Sequence, residues 1–212
     1  MDLSNYFYDF TALAFAHFVA LLSPGVDFFI IIGNSSKYGK LAGFSTAFGI
    51  SIANLVYILL ALFGITLIKD NESIFVFIKV LGSVYLFYMA YLLLRAPKRA
   101  LFEKNDSLTV KSKKELLGYF MSGFLSAILN PKNSIFYFTM FSIAIQSHTP
   151  LAIQGFYALW MFLAVLAWDI FIVYLVNHEK AKVFMDKYSN KVDKVSGGIL
   201  LFIAGAIIYN IF

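Results

Sequence analysis

Asn130-Pro131-Lys132-Asn133 stands near the centre of the apolar run Leu116–Ile145. A charge at that depth in a bilayer costs about 2.5–3.5 kcal/mol on insertion scales unless it faces a partner or a wet cavity. Proline removes a backbone donor, and in lipid that gap must be closed by neighbouring groups. A stretch of the same kind, Ser23-Pro24-Gly25-Val26-Asp27, lies 107 residues earlier and carries the opposite charge. It too interrupts an apolar segment. Two broken, charged membrane segments in corresponding places point to a transporter built from two repeats.

Composition sets the solvent. Of 212 residues, 60% are hydrophobic and 14% charged, so most of the chain is dissolved in lipid rather than water. The net charge of +5 does not indicate nucleic acid, because the basic residues lie between apolar runs. There is no cysteine, which excludes disulfides and thiolate metal sites. Met1 to Asp9 holds two Asp and no Lys or Arg, so no secretory signal is expected and the first apolar segment stays as a membrane helix.

Six segments can cross about 30 Å of hydrocarbon, at roughly 20 residues each. They are Phe10–Ile32, a span within Leu41–Ile68, Ser73–Leu94, Leu116–Ile145, Leu151–Val176 and Val195–Phe212. Gln146-Ser147-His148-Thr149-Pro150 separates the fourth from the fifth. The odd loops hold 14 of the 17 Lys and Arg: Lys37 and Lys40; Arg95, Lys98, Arg99, Lys104, Lys111, Lys113 and Lys114; Lys180, Lys182, Lys187, Lys191 and Lys194. The even loops hold Lys69 alone. By the positive-inside rule the odd loops face the cytoplasm and both termini face out.

The chain divides into residues 1–94, a basic cytoplasmic linker 95–115, and residues 116–212. Pro24, Ala20, Leu22 and Phe29 align with Pro131, Ala127, Leu129 and Phe136. Lys79-Val80-x-Gly82 with Leu86-Phe87 aligns with Lys194-Val195-x-Gly197 with Leu201-Phe202. Three helices per half is an odd number, so the second half is inverted. The expected fold is all-α, with six transmembrane helices in two inverted three-helix repeats, helices one and four broken by proline.

The chemistry is expected at the ionisable groups inside the membrane. Asp27 is a proton acceptor or the partner of a substrate ammonium; the alternative is a structural ion pair. Lys132 meets a substrate carboxylate, or pairs with Asp27. Asp169 is a second proton-relay carboxylate, or the mate of Lys132. Asn130 and Asn133 flank the break and can satisfy freed backbone groups. Asn54 sits beyond the small-residue stripe Ser45, Gly49, Ala53, where an interhelical hydrogen bond is reason enough for it. That stripe allows close helix packing, within the chain or in a homodimer. His17 reads as a hydrogen-bonded packing residue, Lys79 as a snorkelling one, and Tyr6, Phe7 and Tyr8 as an interfacial aromatic belt. No nucleotide-binding loop, metal-ligand cluster or G-x-S-x-G appears, so an enzyme is not expected, nor a cofactor or resident metal.

Several motifs together resemble the LysE/RhtB family of bacterial amino-acid exporters: Ser23-Pro24-Gly25-Val26-Asp27-Phe28, Gly39-x-x-x-Gly43, Lys79-x-x-Gly82-x-x-Tyr85-Leu86-x-Tyr88, Phe120-x-x-Gly123-Phe124, and Leu129-Asn130-Pro131-Lys132. The resemblance covers essentially the whole chain. It implies a six-helix, multi-pass carrier of the bacterial inner membrane that exports amino acids or close derivatives, driven by the proton motive force. Pro24-Gly25 and Asn130-Pro131-Lys132 carry over as its motifs. Val26 departs from the family's Pro-Gly-Pro, which implies a less sharply broken first helix. Two other readings stand beside this one: a metal-cation carrier of the cadmium type, against which the absence of cysteine counts, and a non-transporting membrane sensor or assembly subunit.

Overall fold

The computed structural model describes residues 3–22, 25–68, 71–97, 112–146 and 148–211. Among them are eight helices and no strand: α1 Leu3–Leu22, α2 Val26–Tyr38, α3 Lys40–Ile68, α4 Glu72–Leu94, α5 Lys113–Ile128, α6 Pro131–Ala144, α7 Leu151–Val176 and α8 Glu179–Ile211. Their ends follow local chemistry. Asn71 caps α4 by accepting from the Ile74 N–H at 3.1 Å. Ser112 caps α5 by accepting from the Glu115 N–H at 3.2 Å, the Ser-x-x-Glu pattern of a capping box. Gly39, at φ 84°, closes α2 in a conformation open mainly to glycine.

Four helices are long and apolar enough to cross a bilayer: Lys40–Ile65 in α3, Val76–Leu94 in α4, Leu151–Val176 in α7 and Lys187–Tyr209 in α8. The pair α1 and α2, bent by 54°, counts as a fifth if it is one span. The expected fourth segment is two helices, α5 of 16 residues and α6 of 14, each short of the roughly 20 that a span needs. The break between them at Asn130-Pro131 is the expected one, whereas the expected fifth loop is different. With no proline between Glu179 and Ile211, α8 runs unbroken for 33 residues, and the five lysines assigned to that loop lie on its first turns.

Packing is closest where α3 crosses α5. A Cβ on Gly49 would lie 2.1 Å from the Phe120 carbonyl oxygen, and one on Gly123 2.2 Å from that of Thr46. Ser45 Oγ donates to the Leu116 carbonyl at 2.6 Å. The small-residue stripe of α3 is thus filled by α5 of the same chain. α4 packs along α8, with Gly197 close against Ala90, and against α6, with Gly82 close against Thr139. Two apolar clusters result. One gathers Leu13, Ile58, Leu86, Met140, Phe141 and Val165; the other gathers Ile31, Ile50, Ala53, Ala127, Ile172 and Val173. A polar cavity lies where they meet, since Val165 and Ile50 both line it.

Candidate functional site

The break between α5 and α6 is built from the sequence Leu129-Asn130-Pro131. Asn130 leaves the helix with extended backbone, and its side chain accepts from the Lys132 N–H at 3.0 Å. Helix α6 then restarts at Pro131, a first-turn position where the missing N–H is not needed. The backbone groups freed by the break find partners. The Asn130 N–H donates to Ala127 at 3.2 Å, and the Asn133 N–H donates to Asn130 at 3.1 Å. The Tyr57 hydroxyl donates to the Ile128 carbonyl, and the Tyr85 hydroxyl donates to the Lys132 carbonyl at 3.0 Å. In lipid, only such local bonds make a broken helix tolerable.

The start of α2 meets this break. Asp27, in the first turn of α2, accepts from Ser126 Oγ at 2.7 Å and from Asn133 Nδ2 at 2.9 Å. Asn133 Nδ2 also reaches the Ala127 carbonyl at 3.3 Å. Lys132 extends toward Gly25: a Cβ there would lie 3.3 Å from its ammonium. Gly25 has ordinary extended dihedrals, φ −101° and ψ −173°, so what it provides is space rather than an unusual backbone. No ion pair joins Lys132 to Asp27 or to Asp169 among the described residues. The charges that act on Lys132 are Asp27 and Asp193.

Gly25, Asp27, Asn54, Asn130, Lys132, Asn133 and Asp169 all line one cavity of about 80 Å³. Of the expected site residues, Pro24 lies outside the described residues, and Pro131 is seen as the first residue of α6. Asn54 departs from expectation. Its amide donates to Ile50 of its own helix at 3.0 Å, not across to another helix, because a neighbouring carbonyl one turn back is always within reach. Asp169 is buried, and its Oδ2 has no hydrogen-bond partner among the described residues.

The cavity wall also holds residues the sequence reading did not single out or read otherwise. His17 is packed by Phe136, Tyr137 and Trp160 at 5.6–6.0 Å between ring centroids, and neither ring nitrogen has a hydrogen-bond partner among the described residues. It is a packed residue, but not a hydrogen-bonded one. Tyr137 lies one turn beyond Asn133, on the same side of α6. Outside the cavity wall, Asp193 of α8 is 1% exposed although it sits among lysines in sequence. The signal for it was the spacing Ser189, Asp193, Ser196, a polar stripe on one helical face whose members are all buried.

Chemically, the cavity presents both signs of charge. The N-termini of α2 and α6 open into it, and each carries a partial positive charge. Lys132 adds a full one, in the first turn of α6 where a cation is disfavoured unless an anion is near. Asp27, tied to the start of α6, supplies negative charge, and Asp169 adds a second, buried carboxyl group. A small zwitterion fits such a pattern. At about 80 Å³ the cavity has room for two or three waters, well below the roughly 300–1,000 Å³ of open ligand pockets.

Comparison with known proteins gives the family. The family model for the LysE type translocator matches residues 18–211. The chain is 28% identical over 195 residues to a threonine efflux protein of Salmonella typhi, covering 90% of this chain and 92% of that one. It is 24% identical over 192 residues to the uncharacterized membrane protein YahN of Escherichia coli K12, covering 90% and 85%. It is 27% identical over 190 residues to the uncharacterized membrane protein YrhP of Bacillus subtilis 168, covering 85% and 89%. No solved structure matches. With its several apolar helices and a family match across nearly its whole length, the chain belongs to the LysE type translocators and is a multi-pass membrane transporter.

Proposed function

We propose that this protein exports an amino acid or a close derivative across the bacterial inner membrane in exchange for protons. The observation that carries the reading is the junction of the two broken segments. Asp27 at the start of α2 is hydrogen-bonded to Asn133 at the start of α6, with the Lys132 ammonium beside Gly25. The relatives named as threonine efflux proteins support an amino acid as the solute. The substrate carboxylate meets Lys132 and the helix N-termini, and its ammonium meets Asp27 or Asp169. Protonation of one carboxylate weakens the hold on the ammonium and favours release outside. Access alternates as one half rocks against the other.

The same reading takes α5 with α6 as a single broken span, giving six spans in two inverted halves, residues 1–94 and 116–212, joined by the basic linker 95–115. The basic loops then face the cytoplasm and both termini face out. Asn54 lies on the pathway through its place in the cavity wall. Proteoliposomes carrying an imposed pH gradient test the function with a panel of labelled amino acids. Gradient-dependent movement of one amino acid or a small group is expected. Movement of divalent cations but of no amino acid would establish the metal-carrier reading instead, and no flux of any solute by folded protein would establish a non-transporting role.

A further inference from the structure

A second feature lies outside the polar cavity. Between α7 and the first turns of α8 runs an apolar groove of about 310 Å³. Its α8 wall is Phe184, Tyr188 and Val192, spaced one turn apart on a single face, and its α7 wall includes Phe171 and Leu175. At its edge stand two cations. The Lys187 ammonium lies 5.3 Å from the centroid of the Tyr188 ring and that of Lys191 5.6 Å from it. Both lysines are exposed, while the ring they share is part of the groove. Phe28 and Trp168 line the groove and the polar cavity alike, so they are the wall between the two.

We infer that the groove between α7 and α8 binds an anionic phospholipid, with an acyl chain along Trp168 and Phe184 and the phosphate between Lys187 and Lys191. An apolar slot rimmed by two ammonium groups has the shape and charge of such an amphiphile. The choline of a zwitterionic lipid would be repelled at the same rim. A second copy of this chain fits less well, because a two-fold contact through this groove sets Lys187 and Lys191 of each copy against the same lysines of the other. The first turns of α8 carry five lysines against Glu179, Asp186 and Asp193, a net positive charge to which an anionic membrane surface is attracted. A lipid chain seated here supports the wall formed by Phe28 and Trp168 and closes the polar cavity toward the bilayer. The inference does not depend on which solute is transported.

The chain has two tryptophans, Trp160 and Trp168, so Trp160→Phe leaves Trp168 as the sole reporter. Its fluorescence is read in vesicles containing brominated phosphatidylglycerol or brominated phosphatidylcholine at equal mole fraction. The expected result is a roughly tenfold higher apparent affinity of the quencher when it is the anionic lipid, falling to parity when Lys187→Gln and Lys191→Gln are combined. Native mass spectrometry of the protein with both tryptophans in place repeats the test: retained phosphatidylglycerol is expected on the unsubstituted chain and lost with the two lysines. Equal quenching by the two lipids, a preference that survives loss of both lysines, or a dimer cross-linked through the groove with no quenching would each overturn the inference.

Discussion

Both oxygens of the Asp27 carboxylate are held, one by Ser126 and one by Asn133, and those two donors lie on opposite sides of the α5–α6 break. The carboxylate thus ties the start of one broken segment to both ends of the other. Removing a donor weakens that tie. Asn133→Ala should lower stability by about 1.5–3 kcal/mol, the usual worth of a hydrogen bond to a charged group, seen as a lower melting temperature in detergent. An unchanged melting temperature would show that Asn133 bears no such load. Gly25 offers a separate test, because its dihedrals suit any residue and an added methyl meets only the flexible end of Lys132. Gly25→Ala should fold normally yet transport roughly tenfold less efficiently, since a displaced ammonium no longer meets the substrate squarely. Full transport in Gly25→Ala would separate Lys132 from the pathway. The sequence made the charged residues visible because a charge inside an apolar run is expensive wherever it falls. It did not reveal their partners. Ser126 is one small hydroxyl among many, and only the close approach of α2 to α5 gives it a role.

At the scale of helices, the break at Asn130-Pro131 was legible because its causes are local: a side-chain cap and a missing N–H act within a few residues. The start of α8 was not. Its lysines resemble a solvated loop, and only the buried stripe Ser189, Asp193, Ser196 shows that this stretch packs as a helix. The α3–α5 crossing yields a sharp contrast between glycines. Gly49 and Gly123 each sit so near a backbone carbonyl of the facing helix that a Cβ would overlap it, and a backbone atom gives way less readily than the tip of a side chain. Gly49→Val or Gly123→Val should abolish a monodisperse, folded preparation. Gly155 in α7 has nothing within 4 Å of its added Cβ, so Gly155→Ala should be neutral or stabilising by up to about 1 kcal/mol. Size-exclusion profiles and melting temperatures check both, and a Gly123→Val protein that behaves like the unsubstituted chain would refute the crossing.

For the whole molecule, the membrane class was legible from composition, and the family from motifs that span the chain. The gathering of Gly25, Asp27, Asn54, Asn130, Lys132, Asn133 and Asp169 around one cavity was not, because it depends on how five helices pack. Orientation can be measured cleanly, since the chain has no cysteine of its own. A single Lys104→Cys should react with an impermeant thiol reagent from the cytoplasmic side, and His148→Cys from the outer side. Labelling of both from one side would overturn the six-span arrangement. The most direct test of the central claim is gradient-driven amino-acid flux in proteoliposomes holding equal folded amounts of the unsubstituted chain, Asp27→Asn and Lys132→Ala. The account predicts at least a tenfold loss in each variant, because each removes one charge of the zwitterion site. Undiminished flux in both would place the transport pathway elsewhere in the molecule.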